Sequence, residues 1–260
     1  DDDHPPEYEY TPWDGWFNNY AHPDWGAAET PLFRRVPPSY ADGVYEPSGQ
    51  DRPNPIELSQ GLMGGPTGLK SAKGRTAFLV FFGQQVVEEI LDAQRPGCPP
   101  EYFNVKVPKN HHYNPHNLDD LEMPVLRSRY SMNTGFSPSV PREQLNEISA
   151  FFDGTLMYGP NKAWADALRT FHNGTLKAIN ESGGYFPAHN TIRLPYANPP
   201  PPRDHFLKPI SRFFTIGNPR GNENPFLLTF GILWFRYHNF WAKKLQAEHP
   251  KWTDEQIFNE

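Results

Sequence analysis

A mainly α-helical domain is what this sequence predicts, and three observations carry it. A helix start at Asn224-Pro225 opens an aromatic run from Phe226 to Leu245, and residues 75–93 form a second apolar-periodic segment. Around them, 30 prolines and 20 glycines among 260 residues, with 15% aromatics, read as helices joined by long proline-stiffened connections. That aromatic content supplies a core and argues against overall disorder.

The later helix is the better marked. Asn224 is a preferred N-cap residue and Pro225 suits the first helical position. Leu227, Phe230, Trp234, His238, Trp241 and Leu245 share one face at helical spacing. The first half is apolar all round, which predicts burial. Arg236 and His238 interrupt the run well short of membrane-spanning length, so no transmembrane segment is expected. His238 reads as a hydrogen-bonded core histidine before it reads as a metal ligand. Just upstream, Pro219-Arg220-Gly221-Asn222-Glu223 sets a guanidinium and a carboxylate on a fixed turn. The pair reads either as a structural ion pair or as a site at a helix N-terminus, where oxygen-rich ligands are favoured.

In the earlier helix, Ala77, Val80, Phe81, Gln84, Val87, Glu88 and Leu91 share one face. Gln84 and Glu88 are the polar positions in that stripe. The plain reading of Glu88 and Glu89 is solvated helix-surface charge. Residues 1–60 interleave turn chemistry with aromatics, as in Trp13-Asp14-Gly15 and His22-Pro23-Asp24-Trp25-Gly26, and predict an extended arm. Residues 94–135 are loop-rich. His111, His112 and His116 cluster there without a thiol or carboxylate at metal-ligand spacing, which speaks against structural zinc. Asp166–Phe171 looks helical, and a proline run, Pro199 to Pro202, follows.

Ser149, Phe151, Asp153 and Thr155 recur with a period of two. An extended loop would turn two hydroxyls, a carbonyl and a carboxylate to one side, the oxygen chemistry that calcium takes. Four oxygens with one charge are too few, so a further carboxylate is required. Thr253-Asp254-Glu255-Gln256 reads as an N-cap and capping box ahead of Ile257 and Phe258. The chain stops within the first turns of that helix, so it reads as the N-terminal portion of one domain in a longer protein. A net charge of −6 gives no basic stripe and argues against nucleic acid as the main partner. The single cysteine, Cys98, permits no internal disulfide. Beside the sequons at Asn173 and Asn180 it suggests a secreted protein, with any partner of Cys98 outside this chain.

Several of these segments together resemble the animal haem peroxidases, and within them the peroxidase-like ectodomain of the dual oxidases, invertebrate type. The resemblance runs over essentially the whole chain, on Trp13-Asp14-Gly15-Trp16-Phe17-Asn18-Asn19, Phe82-Gly83-Gln84, Phe152-Asp153-Gly154 to Tyr158-Gly159, and Trp234-Phe235-Arg236-Tyr237-His238-Asn239. It implies a haem-gripping helical fold, with Arg220 as the distal arginine, Glu223 as a haem-esterifying carboxylate and Gln84 on the distal face. It also implies that Glu89 completes a calcium site with Ser149, the Phe151 carbonyl, Asp153 and Thr155. Two positions depart from the pattern. Val87 stands where a second haem-linking aspartate is expected, and Glu88 where the distal histidine is expected. Glu88 has only a partly apolar set of helical neighbours, so an ionised carboxylate is expected there. The resemblance therefore implies two functions. One is a degenerate ectodomain that assists maturation, partner docking and peroxide release for an NADPH oxidase. The other is an active peroxidase that oxidises tyrosine-like phenols with hydrogen peroxide. FAD and NADPH would belong to the oxidase portion outside this chain. The implied partners are the rest of the protein and a maturation-factor membrane protein, on the extracellular side of the plasma membrane.

Overall fold

The computed structural model describes residues 10–49, 51–93, 95–190 and 213–260. The Pro199–Pro202 run lies outside them. Six α-helices are present among the described residues: α1 (Pro55–Met63), α2 (Phe78–Ile90), α3 (Thr155–Tyr158), α4 (Lys162–Leu168), α5 (Pro225–Glu248) and α6 (Asp254–Asn259). Strands are short, so the fold is mainly α as the sequence predicts. The chain divides into two compact units. One comprises Asp1–Thr30, Ala77–Asp92 and Asn146–Glu260; the other comprises Pro31–Thr76 and Ala93–Leu145. The stretch expected as one arm over 1–60 thus contributes to both units, and α1 begins within it.

The second unit is held by polar contacts more than by a core. A two-residue antiparallel ladder pairs Val105–Lys106 with Glu122–Met123. Glu101 receives Arg142 at 2.7 Å and Arg127 at 2.9 Å, which holds its carboxyl below the usual range. His111 is buried, accepting the Tyr113 N–H on Nδ1 at 3.1 Å and packing against His112.

The first unit contains all the candidate site residues. Its core joins Leu168, Leu176, Phe235 and Phe258, with Trp13 and Tyr158 packed against them. Local sequence signals set α5 and α6. The Asn224 side chain accepts from Phe226 N and Leu227 N, and Pro225 opens the helix. Thr253 and Gln256 form the reciprocal capping box. The buried residues of α5 are Leu227, Phe235 and Ala242, of which only Leu227 belongs to the stripe that the periodicity selects. The difference is a rotation of roughly 60° round the helix at its 3.6-residue turn. It leaves Trp234 exposed and turns the small side chain of Ala242 inward. Residues 162–168, not 166–171, form α4, because Asn161 caps it by accepting from Trp164 N and Arg169 is already extended. Phe171 lies beyond at φ 56°.

Candidate functional site

Helix α2 packs on α5 through stacked Phe81 and Phe226 (4.3 Å, 15°) and through Phe78 and Phe82 around Phe230. Its burial corrects the sequence expectation. Val80 and Val87 are exposed, Val87 at 51%, whereas the only buried residues of the helix are Glu88 (6%) and Glu89 (8%). Neither carboxylate is the solvated surface charge that the plain reading assigns. The 149–156 loop and the Pro219–Asn222 3₁₀ turn close over the end of α2 that carries them.

On one side of that end, Gln84 is the hub. Its Nε2 donates to Glu88 Oε1 at 3.3 Å and also to Glu223 Oε2, while its Oε1 accepts from Asn224 Nδ2 at 3.1 Å. Among the described residues Glu88 Oε2 is buried without a hydrogen-bond partner. Burial pushes the Glu88 carboxyl above its ordinary range. The Arg220 charge and the Gln84 hydrogen bond pull it back, while Glu223 and Asp92 push it up further. The site is therefore drier than the helical neighbours of Glu88 suggested, and that burial raises its proton affinity.

Arg220 takes a place that neither sequence reading foresaw. It makes no ion pair with Glu223. Its Nη2 donates to the carbonyls of Glu88 (3.1 Å) and Leu91 (2.8 Å) and lies 3.5 Å from Asp92 Oδ2, while Nε donates to Asn218 Oδ1 at 3.3 Å. The guanidinium thus sits on the C-terminal carbonyls of α2, where a cation complements the helix dipole. Among the described residues its Nη1 has no hydrogen-bond partner, so part of the fork stays available. Asn218 and Asn224 are partners that the sequence reading missed as site residues. The available signal was an asparagine immediately before each of Pro219 and Pro225.

On the other side, Glu89 accepts from Gly154 N at 2.5 Å and Leu156 N at 2.9 Å. Burial pushes its carboxyl up; those two N–H groups lower it, and the nearby Asp153 raises it. Asp153 Oδ1 accepts from the Thr155 hydroxyl at 2.7 Å, whereas Asp153 Oδ2 is buried without a partner. Ser149 and Thr155 are buried, and Ser149 Oγ accepts from Phe151 N at 3.2 Å. Residues 13–28 brace this loop. A Cβ added at Gly15 would meet Ser149 Oγ at 2.8 Å, and Ala150 N donates to Gly26 O at 2.8 Å. Two neighbouring carboxylates, one with an oxygen to spare, beside two buried hydroxyls fit a hard cation. Among the described residues no group of three or more His, Cys, Asp or Glu converges as a metal cluster. An apolar cavity of about 660 Å³ opens on this face of α2, lined by Phe82, Val86, Glu89, Trp234 and Phe235 among others.

His238 is a core histidine. Its Nε2 faces the Gly174 carbonyl at 2.8 Å and must donate, so Nδ1 accepts the Tyr158 hydroxyl, also at 2.8 Å.

Two buried acids, a shared amide and an arginine on a helix end are thus brought together on packed helices. The description "Animal haem peroxidase" matches residues 10–260, and the chain belongs to that family. Within it the chain is similar to dual oxidases. It is 44% identical over 247 residues to the dual oxidase of Drosophila melanogaster, covering 95% of this chain and 16% of the relative. It is 40% identical over 256 residues to dual oxidase 1 of Homo sapiens, covering 98% and 16%. The chain spans about a sixth of the length of these relatives. Among solved structures, peroxidase A of Dictyostelium discoideum superposes with a TM-score of 0.81 at 26% identity, over 97% of this chain and 49% of that one. The fatty acid alpha-dioxygenase of Arabidopsis thaliana has a TM-score of 0.68 at 18% identity, over 97% and 34%, a likeness of fold. No helix of the described residues is long and apolar enough to cross a membrane.

Proposed function

We propose that this domain is the peroxidase-like ectodomain region of a hydrogen-peroxide-forming dual oxidase. Its own distal site is degenerate, and it supports maturation, docking of a maturation-factor membrane protein and release of peroxide made by the oxidase portion with FAD and NADPH. One observation carries the reading. Glu88, where the resemblance implies a proton-carrying histidine, is a buried carboxyl, and Nη2 of Arg220 is engaged by the carbonyls of Glu88 and Leu91.

The residues present fit one face of a haem. Gln84 and Glu223 offer an amide and an exposed carboxylate, and the unpartnered Glu88 Oε2 can hold or pass one proton. Bound haem would supply the iron chemistry of peroxide cleavage. Gln84 would orient the incoming oxygen, Glu223 would anchor the macrocycle, and Arg220 would stabilise developing negative charge through Nη1. With Val87 apolar, a second ester to the haem has no carboxylate to form it. Calcium would be held by Glu89, Ser149, the Phe151 carbonyl, Asp153 and Thr155, joining α2 to the loop that opens α3.

The second reading, an active peroxidase on tyrosine-like phenols, is favoured by the raised proton affinity of buried Glu88, since a carboxyl tuned upward carries protons better near neutrality. Soret absorbance and phenol oxidation by the purified full-length protein separate the two. We expect slow turnover, raised about 100-fold by Val87→Asp with Glu88→His, the lower end of what general acid–base catalysis contributes. Wild-type turnover equal to that of the double variant would make the second reading the correct one.

An extracellular location follows from the same proposal and has its own test. Asn180 is exposed on the hairpin of Ala178–Glu181 and Gly184–Pro187, whereas Asn173 is half-buried with its amide against His172. Glycosidase treatment should shift the mobility of the native protein, and Asn180→Gln should abolish most of the shift. A protein insensitive to glycosidase would exclude glycan at both sites.

A further inference from the structure

We infer that Asn224 is a positioning residue that fixes which way the Gln84 amide points, and through that amide the Glu223 carboxylate. The inference rests on the reading of Gln84 and Glu223 as haem-facing residues.

A glutamine amide is nearly symmetric in shape, and turning its last torsion exchanges a donor for an acceptor. Something must choose. Asn224 has the same ambiguity in isolation, but the start of α5 removes it. Two backbone N–H groups, Phe226 N at 3.1 Å and Leu227 N at 2.9 Å, point at one end of the Asn224 amide. Only the carbonyl oxygen can accept them, so Oδ1 is committed to the cap and the NH₂ must face away from it. What it faces, 3.1 Å off, is Gln84. Gln84 therefore presents its oxygen to Asn224 and its NH₂ to the acids Glu88 and Glu223. The unsatisfied donors of a helix end thus set the polarity of a side chain on another helix, through one intervening amide.

The consequence falls on Glu223. Its side chain is exposed, and among the described residues no other side chain hydrogen-bonds its carboxylate. An exposed glutamate otherwise samples several rotamers, and a fixed donor narrows them to one orientation. Holding a carboxylate in one direction is what attachment to a macrocycle edge needs. The amide pair is the part of the site that supplies it.

Asn224→Ser tests this in the full-length protein, because serine caps a helix about as well as asparagine but is too short to reach Gln84. The readout is the share of Soret absorbance that stays with the protein through acid–acetone extraction, with Glu223→Gln as the reference lacking the carboxylate. We expect Asn224→Ser to lower that share about fivefold, the factor one ordinary hydrogen bond carries, to match Gln84→Leu, and to add nothing on top of it. The thermal cost of Asn224→Ser should likewise vanish in the Gln84→Leu background. A variant that retains haem like wild type and costs the same in both backgrounds overturns the inference. If wild-type protein itself releases all its haem on extraction, the ester reading of Glu223 fails. The thermal cycle then decides alone, with additive costs counting against Asn224 and non-additive costs in its favour.

Discussion

The polar residues at the C-terminal end of α2 and those packed among α4, α5 and α6 are both buried, yet they are satisfied in different ways. In the second cluster Arg169, 2% exposed, reaches Asp254 and Glu255 at 2.7 Å each and lies over the Phe258 ring. Asp254 accepts Gly174 N at 2.6 Å, Asn239 takes both backbone groups of Leu176, and His238 bridges Tyr158 to Gly174. Arg169 Nε is the one orphan there. Around α2, Gln85 Oε1, Glu88 Oε2 and Asp153 Oδ2 are buried without partners among the described residues, the last two on residues whose other oxygen is engaged. Paired groups of the first kind hold helices in place. Spare buried acceptors cost stability, and a fold that keeps them within one loop and helix end leaves room there for a ligand's donor or a cation.

The sharpest way to break the contrast is to open the closed cluster. Arg169→Met keeps the volume but removes two charge-assisted hydrogen bonds, to the half-buried Asp254 and the exposed Glu255, and should cost about 2–3 kcal/mol in denaturant unfolding. A loss below about 1 kcal/mol would show that this network adds little.

Next in size, the open cluster should respond to calcium where the closed one does not. Calcium saturation is expected to raise the thermal midpoint by roughly 4–8 °C, about 2 kcal/mol, with chelator reversing the gain and Asp153→Ala abolishing it. Equal midpoints with calcium and with chelator would remove the calcium assignment.

The smallest effect belongs to His238. Burial lowers its proton affinity below the ordinary value of 6.5, the Gly174 carbonyl raises it, and Arg169 lowers it. The unfolded chain therefore binds the proton more readily than the native one. Its contribution to stability is complete above pH 6.5 and is lost as pH falls from there towards the folded value. His238→Gln, which can keep one donor and one acceptor in place, should flatten this part of the stability profile. An unchanged slope would place the acid sensitivity elsewhere.

Local signals were legible and accurate. Asn224-Pro225 and Thr253 to Gln256 each named a helix start, because a cap is satisfied by atoms two or three residues away. Periodicity found α2 and α5 but ranked their faces only in part: Glu88 and Leu227 on the predicted stripes are buried, whereas Val80, Val87 and Trp234 on them are exposed. A 3.6-residue repeat ranks faces by hydrophobicity and says nothing about which neighbour arrives. Glu88 and Glu89 are buried by residues 60 or more positions later in the chain, such as Leu156 and Arg220.

The sequence by itself determined the family, the mainly helical class and the caps that open α5 and α6. All of these depend on residue type and short spacing. Tertiary structure alone decided that Arg220 sits on the carbonyl end of α2 instead of pairing with Glu223, and that Gln84 joins Glu88 to Glu223. It also decided that the two acids of α2 face different partners under cover. Those outcomes depend on which chain segments meet, and a buried acid or guanidinium takes its partners and its proton affinity from whatever distant atoms exclude water around it.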